Sequence, residues 1–231
     1  MEYFYSIVRF IQNGGIFMYP IMITLAIGLA IALERYLYLG VIKRRNKVAW
    51  EHIHPLMLQG KVKSTLEYVR GSDAHISKVL VYTLTHLVSG RKVDEVEKML
   101  EEGLVEIIPQ LEKRTHFLGT FANIATLLGL LGTILGLIAA FSAVANADPA
   151  EKANLLSNSI SVAMNTTAFG LITAIPLLLL HSFISTKTNE IVDSMDIVTV
   201  KLNNLININK NANNGLTEID EVTKQQVTLQ P

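Results

Sequence analysis

No cysteine occurs among the 231 residues of this chain. Disulfides, thiolate metal sites and thiol nucleophiles are thereby excluded. Charge is also sparse, at 17% Asp, Glu, Lys and Arg, where a soluble domain carries about 25%. The 20 basic and 20 acidic side chains cancel, so the basic footprint that nucleic-acid binding leaves is missing. Two stretches, Phe117–Val144 and Leu155–Ile184, contain no Asp, Glu, Lys or Arg at all. Each exceeds the run of about 20 residues that spans hydrocarbon as a helix.

What is present fits a membrane protein. Half of the residues are hydrophobic, and a third apolar run, Ile16–Leu33, follows Gly14-Gly15 and precedes Glu34-Arg35. Its Ala30-Ile31-Ala32 end has the look of a signal-peptide cleavage site. Only Arg9 is basic before it, however, and a dense basic cluster, Lys43, Arg44, Arg45 and Lys47, follows, which predicts a retained first span. The same cluster, Lys113-Arg114 before the second span and Lys187 after the third place all basic flanks on one side. The positive-inside rule then puts the N-terminus outside and the C-terminus in the cytoplasm.

The expected organisation is an all-α integral membrane protein with three transmembrane helices, the second and third extended into the cytoplasm, beside a small cytoplasmic helical bundle. Residues 1–39 form the periplasmic N-terminal segment and first transmembrane helix, 40–116 the cytoplasmic helical domain, and 117–145 the second transmembrane helix. Residues 146–154 form a periplasmic loop with Asp148, Glu151 and Lys152. Residues 155–206 are the third transmembrane helix with its cytoplasmic extension, and 207–231 an Asn-, Gln- and Lys-rich tail whose composition points to disorder. Within the cytoplasmic block, Ile76, Val79, Leu80, Thr83, Leu84 and Leu87 recur at helical spacing, as do Val93, Val96, Leu100, Leu104 and Ile107, with Gly71-Ser72-Asp73 and Gly90 as punctuation. Beyond the third span, Ile184, Ile191, Met195, Val198, Leu202 and Leu205 keep spacings of three, four or seven.

The motifs carry no soluble-type chemistry. Six histidines are scattered, and the nearest pair, His52 and His54, points to different sides of a helix. Gly129-Leu-Leu-Gly132 lacks the Lys and preceding strand of a phosphate-cradling loop. No set of nucleophile, base and orienting residue is present, so the chain does not read as an enzyme, and no cofactor or metal site is expected.

The spans themselves are more telling. On the second, Thr126, Gly129, Thr133, Gly136 and Ala140 fall on one face with almost no side-chain bulk. Small residues let backbones approach in lipid, and hydroxyls bond across helices. The third span carries Ala163, Thr166, Thr167, Gly170, Thr173 and Ala174, together with Asn165. An amide left unsatisfied in an apolar medium costs several kcal/mol. Three consecutive polar residues, Asn165-Thr166-Thr167, occupy different helix faces, as at a subunit boundary where more than one face is buried.

The runs Ala122-Asn-Ile-Ala-Thr-Leu-Leu-Gly-Leu-Leu-Gly-Thr-Ile-Leu-Gly136 and Ala163-Met-Asn-Thr-Thr-Ala-Phe-Gly-Leu-Ile-Thr-Ala-Ile-Pro176, with the early Gly14-Gly15, Tyr19-Pro20 and Leu33-Glu-Arg35, resemble the MotA/TolQ/ExbB ion-channel family, nearest its ExbB/TolQ branch. The resemblance covers almost the whole chain. It implies a homopentamer in the bacterial inner (cytoplasmic) membrane whose second and third spans line a central pore around two copies of a single-span ExbD/TolR-like partner. It further implies that Thr133 and Thr167 face an essential Asp of that partner, with Thr166, Asn165 and Thr126 completing the ion pathway and Gly129, Gly132, Gly136, Ala140, Gly170 and Ala174 packing the helices. Many relatives carry a Glu where this chain has Val162. The Thr166-Thr167 pair beside Asn165 resembles sodium-driven stators, so H+ or Na+ is the transported ion.

Two functions follow as expectations. In one, the chain is a pore-forming stator subunit that turns ion-gradient energy into work on the cell envelope, as outer-membrane import, envelope maintenance or motility. In the other, it is a membrane scaffold whose small-residue faces serve only assembly. A solute transporter is disfavoured, because three spans give no inverted repeat and carry no intramembrane Asp, Glu, Lys or Arg.

Overall fold

A computed structural model describes Phe10 and residues 14–89, 95–145 and 147–228, with side chains described as far as Ile208. Arg9, Gly90, Val93 and Asn146, used above, lie outside the described residues. Among those described the protein is helical, with α1 Met18–Leu58, α2 Val62–Arg70, α3 His75–Val88, α4 Val96–Glu112, α5 Thr115–Ala145 and α6 Lys152–Thr228. Three of its helical stretches are long and apolar enough to cross a membrane, Met18–Leu58, Val96–Ala145 and Lys152–Ile208.

The structure departs from the expected helix ends in two ways. Helix α1 runs on to Leu58, so the first span is extended as well as the third. The extension of the second span is interrupted: α4 ends at Glu112, α5 starts at Thr115, and between them Arg114 adopts φ 66°. A non-glycine residue rarely holds that left-handed conformation, and one such residue ends a helix. At the other end, the α6 backbone continues as helix to Thr228, into the stretch for which composition points to disorder.

The chain divides into two compact units. The first comprises Met1–Leu37 and Glu112–Thr186, the second Tyr38–Leu111 and Lys187–Pro231. In the first, the α5 residues Leu118, Ala122, Ala125, Gly129, Gly132 and Ala140 are buried, a line at spacings of three, four and eight whose side chains are small beyond Leu118. On α6 the buried line is Ala163, Thr166, Gly170, Thr173, Ala174 and Leu177. Pro176 lies inside α6, where it removes one donor and frees the carbonyl four residues earlier, a break tolerated in packed membrane helices. Large apolar residues cover the remaining faces, among them Leu127, Phe141, Met164 and Leu179, each over 60% exposed. Apolar surface on this scale requires lipid or another chain against it.

In the second unit, Ile76, Val79, Leu80, Thr83 and Leu84 of α3 are buried, and so are Val96, Met99, Leu100, Leu104, Ile107 and Leu111 of α4. Gly103 admits the close approach of Val79, whose Cγ1 would stand 2.9 Å from an added Cβ. Asn46 on α1 acts as a remote cap for α3, its Oδ1 accepting the Ile76 backbone N–H at 3.2 Å. Such a bond satisfies one of the orphan donors of a helix start. His75, beside it, is buried with its ring edge-on to Tyr38. Burial above all, then Lys78 and Arg45, holds its imidazole below the ordinary value. Glu190 receives Lys187 at 2.9 Å and Lys43 at 3.1 Å, and these hydrogen bonds hold its carboxyl below the ordinary range. His52 stacks on Tyr68 and His54 leans on Trp50, so the two histidines serve separate ring contacts.

Candidate functional site

The α5–α6 contact is a backbone contact. A Cβ added at Gly170 would stand 2.8 Å from the Ala125 carbonyl oxygen and 3.0 Å from Gly129 Cα. One added at Gly129 would stand 3.3 Å from both Gly170 Cα and Thr167 Cα, and one at Gly136 would be 2.9 Å from Ala163 Cβ. Gly132 is closed by the side chain of Thr166, with Phe17 Cβ also at 3.4 Å from an added Cβ. Ala140 and Ala174 are buried. An added methyl at Gly129, Gly132, Gly136 or Gly170 would press on the facing helix, and the helices approach closely because dispersion, not a hydrophobic force, holds helices together in lipid.

That proximity brings the two expected threonines together. Thr167 donates its hydroxyl proton to the Gly129 carbonyl at 2.8 Å. The Thr133 hydroxyl lies in hydrogen-bonding contact with that of Thr167, and is 3.3 Å from Gly129 O and 3.4 Å from Ala163 O. Each hydroxyl has one proton. The arrangement that serves both sends the Thr167 proton to Gly129 and the Thr133 proton to Thr167 or a backbone carbonyl. The pair therefore presents lone pairs to an incoming group. Both residues are only half-buried, so such a group can reach them.

The other expected residues are dispersed. Thr166, 2% exposed, turns away from Thr167: its hydroxyl lies 2.5 Å from Gly14 O and 2.9 Å from Val162 O. A side-by-side hydroxyl pair at 166 and 167 is not what the structure assembles. Consecutive residues differ by about 100° around a helix, and the seam selects one of the two. Asn165 is half-buried, and Thr126 is exposed with its hydroxyl bonded back to Ala122 O at 3.1 Å. Val162 packs beside Gly15, whose φ is 73° and whose added Cβ would lie 3.2 Å from Val162 Cγ1.

Two residues escaped the sequence reading. Asn123 lies three residues before Thr126 and is exposed within the apolar second span; it was legible as an amide in an otherwise uncharged run. His181 lies against Gly119, its Nε2 3.8 Å from where a Cβ would be. A search for Asp, Glu, Lys and Arg in the third span passes over it.

Residues 71–197 match the sequence model of the MotA/TolQ/ExbB proton channel family. The chain is 27% identical over 200 residues to a putative biopolymer transport protein ExbB homolog of Methanothermobacter thermautotrophicus, an alignment covering 86% of this chain and 70% of that protein. It is 26% identical over 167 residues to a putative ExbB-like protein of Synechocystis, covering 72% and 79% of the two chains. With the Tol-Pal system protein TolQ of Haemophilus influenzae it shares 36% identity over 84 residues, 36% of each chain.

Proposed function

The chain belongs to the MotA/TolQ/ExbB proton channel family, and from that membership we propose that it is the pore-forming stator subunit of a proton-driven motor in the inner membrane. Five copies surround the single spans of two ExbD/TolR-like partner chains, with α5 and α6 facing the pore. The N-terminus is periplasmic and the C-terminus cytoplasmic, a topology supported by the basic flanks Lys43, Arg44, Arg45, Lys47, Lys113, Arg114 and Lys187. The work delivered is mechanical and acts on the cell envelope.

The observation that carries this reading is the Thr133–Thr167 hydroxyl pair, reachable and with the Thr167 proton committed to Gly129. A protonated carboxyl or a water molecule can donate to its lone pairs, whereas an ionised carboxylate cannot. A protonated Asp of the partner donates to the pair, and once ionised it can only accept, from the single Thr133 proton, since Gly129 holds that of Thr167. Loading and unloading the proton thereby changes the contact between pore and partner, the coupling that a rotary stator needs. The α5 and α6 spans carry no carboxylate of their own, so the titrating acid comes from the partner. Support for protons over sodium comes from Thr166, whose hydroxyl is turned to Gly14 and Val162. A bare cation needs several oxygen ligands at one level.

The native mass of the detergent-solubilised complex, expressed with a single-span Asp-bearing partner, tests the reading. Five copies of this chain with two of the partner are expected. A monomer or dimer indifferent to the partner overturns it and favours a scaffold.

A further inference from the structure

Helices α5 and α6 run antiparallel with a constant register, and that register aligns two polar levels. Thr133 meets Thr167, and Gly119 meets His181; each partner of the second pair lies fourteen residues along its helix from the first. Fourteen residues of α-helix span about 21 Å. Between the levels, Gly119, Asn123, Thr126 and Thr133 succeed one another at intervals of four, three and seven residues, which keeps them on one face. Gly119 and Thr133 are half-buried, and Asn123 and Thr126 are exposed. The polar line thus remains open to whatever occupies the space beside α5, and its far end is an imidazole in an otherwise uncharged span.

We infer that Thr126, Asn123 and His181 form the cytoplasmic half of the proton path, with His181 as the group that receives the proton and releases it to the cytoplasm. This rests on the stator reading. Histidine is the side chain that ordinarily exchanges a proton between about pH 5 and 8, whereas a hydroxyl or amide only relays one through bound water. In the transfer, a proton leaving the partner's carboxyl passes through water along Thr126 and Asn123 to a neutral His181 nitrogen. The imidazolium then returns it to cytoplasmic water, and the partner is left as carboxylate. The ring lies beside Gly119 on α5, where even an added Cβ would stand in ordinary contact with it, 3.8 Å from Nε2. On the elements at this end of the unit, the other charged and titratable groups are Glu34, Arg35 and Tyr36 of α1, the last with its ring centroid 6.2 Å from that of Phe183, Glu112 at the end of α4, and Lys113, Arg114 and His116 around the start of α5. Glu34 and Arg114 pair with each other at 3.2 Å.

The test is proton flux, followed with a pH-sensitive dye, into vesicles containing the complex of this chain with its partner, for wild type, His181→Gln and His181→Glu. Gln keeps hydrogen bonding and loses proton exchange; Glu restores exchange at a lower pH. With assembly confirmed by native mass, His181→Gln is expected to lower flux roughly tenfold or more. His181→Glu should regain most of it, with the pH dependence displaced to acid. Wild-type flux in His181→Gln overturns the inference. Equal loss in both variants also overturns it, because a structural role does not distinguish Gln from Glu. A wild-type complex without flux above empty vesicles instead defeats the stator reading itself, and this inference with it.

Discussion

Thr167 on α6 donates to the carbonyl of Gly129 on α5 at 2.8 Å, a bond made possible by a glycine at 129 and another at 170. The bond sets the orientation of the Thr167 hydroxyl and leaves its lone pairs to face Thr133. Structure and chemistry meet at this point, and substitutions there separate a stator from a scaffold.

Thr133→Val and Thr167→Val each remove one interhelical hydroxyl while keeping the shape of the side chain. An interhelical hydrogen bond in a membrane contributes about 0.6 kcal/mol and at most about 1.7, too little to take a large complex apart. Native mass should be unchanged. Dye-monitored proton flux should fall to the level of empty vesicles, and flux preserved in both variants would favour the scaffold.

Gly170→Ala places a methyl 2.8 Å from the Ala125 oxygen and 3.0 Å from Gly129 Cα. Both obstacles are backbone, so the helices must separate, at a cost of about 1–3 kcal/mol. Gly40→Ala is the control, since nothing lies within 4 Å of the added methyl. Thermal unfolding in detergent should show a lowered midpoint for the first variant and none for the second.

Asn46→Ala removes the acceptor of the Ile76 N–H. An orphaned buried donor costs about 1–3 kcal/mol. The same change deletes an amide nitrogen, Nδ2, that is itself buried without a hydrogen-bond partner, which moves the expected loss toward the lower end. Denaturant titration should show it, together with faster hydrogen exchange at the start of α3.

His75 supplies a pH dependence. Its imidazole is held below the ordinary value by burial first, then by Lys78 and Arg45. The unfolded chain binds a proton at a pH where the folded chain does not, so stability is greatest above the ordinary imidazole value of 6.5 and declines as pH falls from there toward the lowered native value. His75→Gln should flatten that decline. Melting temperatures at pH 7.5 and pH 5.5 should differ less in the variant than in wild type, and equal differences would show that another group is responsible.

Much of the architecture was legible in advance. Uncharged length alone marks the three apolar helices, because hydrocarbon admits little else. Periodicity marks the stripes of α3 and α4 that the structure buries, because one face of each helix must leave water. Helix ends were less legible. The continuation of α1 to Leu58 crosses the boundary expected at residues 39 and 40 between the first transmembrane helix and the cytoplasmic helical domain, and the break at Lys113-Arg114 depends on a left-handed Arg that no residue type announces.

The sequence by itself determined that this chain has three apolar runs able to span a membrane as helices, that two of them carry small and hydroxyl residues, and that neither of those two runs, Phe117–Val144 and Leu155–Ile184, holds a carboxylate. Which hydroxyls meet was decided only by the tertiary structure. Helical periodicity assigns residues to faces but leaves the relative register of two helices open, and that register comes from where Gly129 and Gly170 allow the backbones to touch. Once it is set, Thr167 joins Thr133, Thr166 is taken up by Gly14 and Val162, and His181 comes to rest against Gly119.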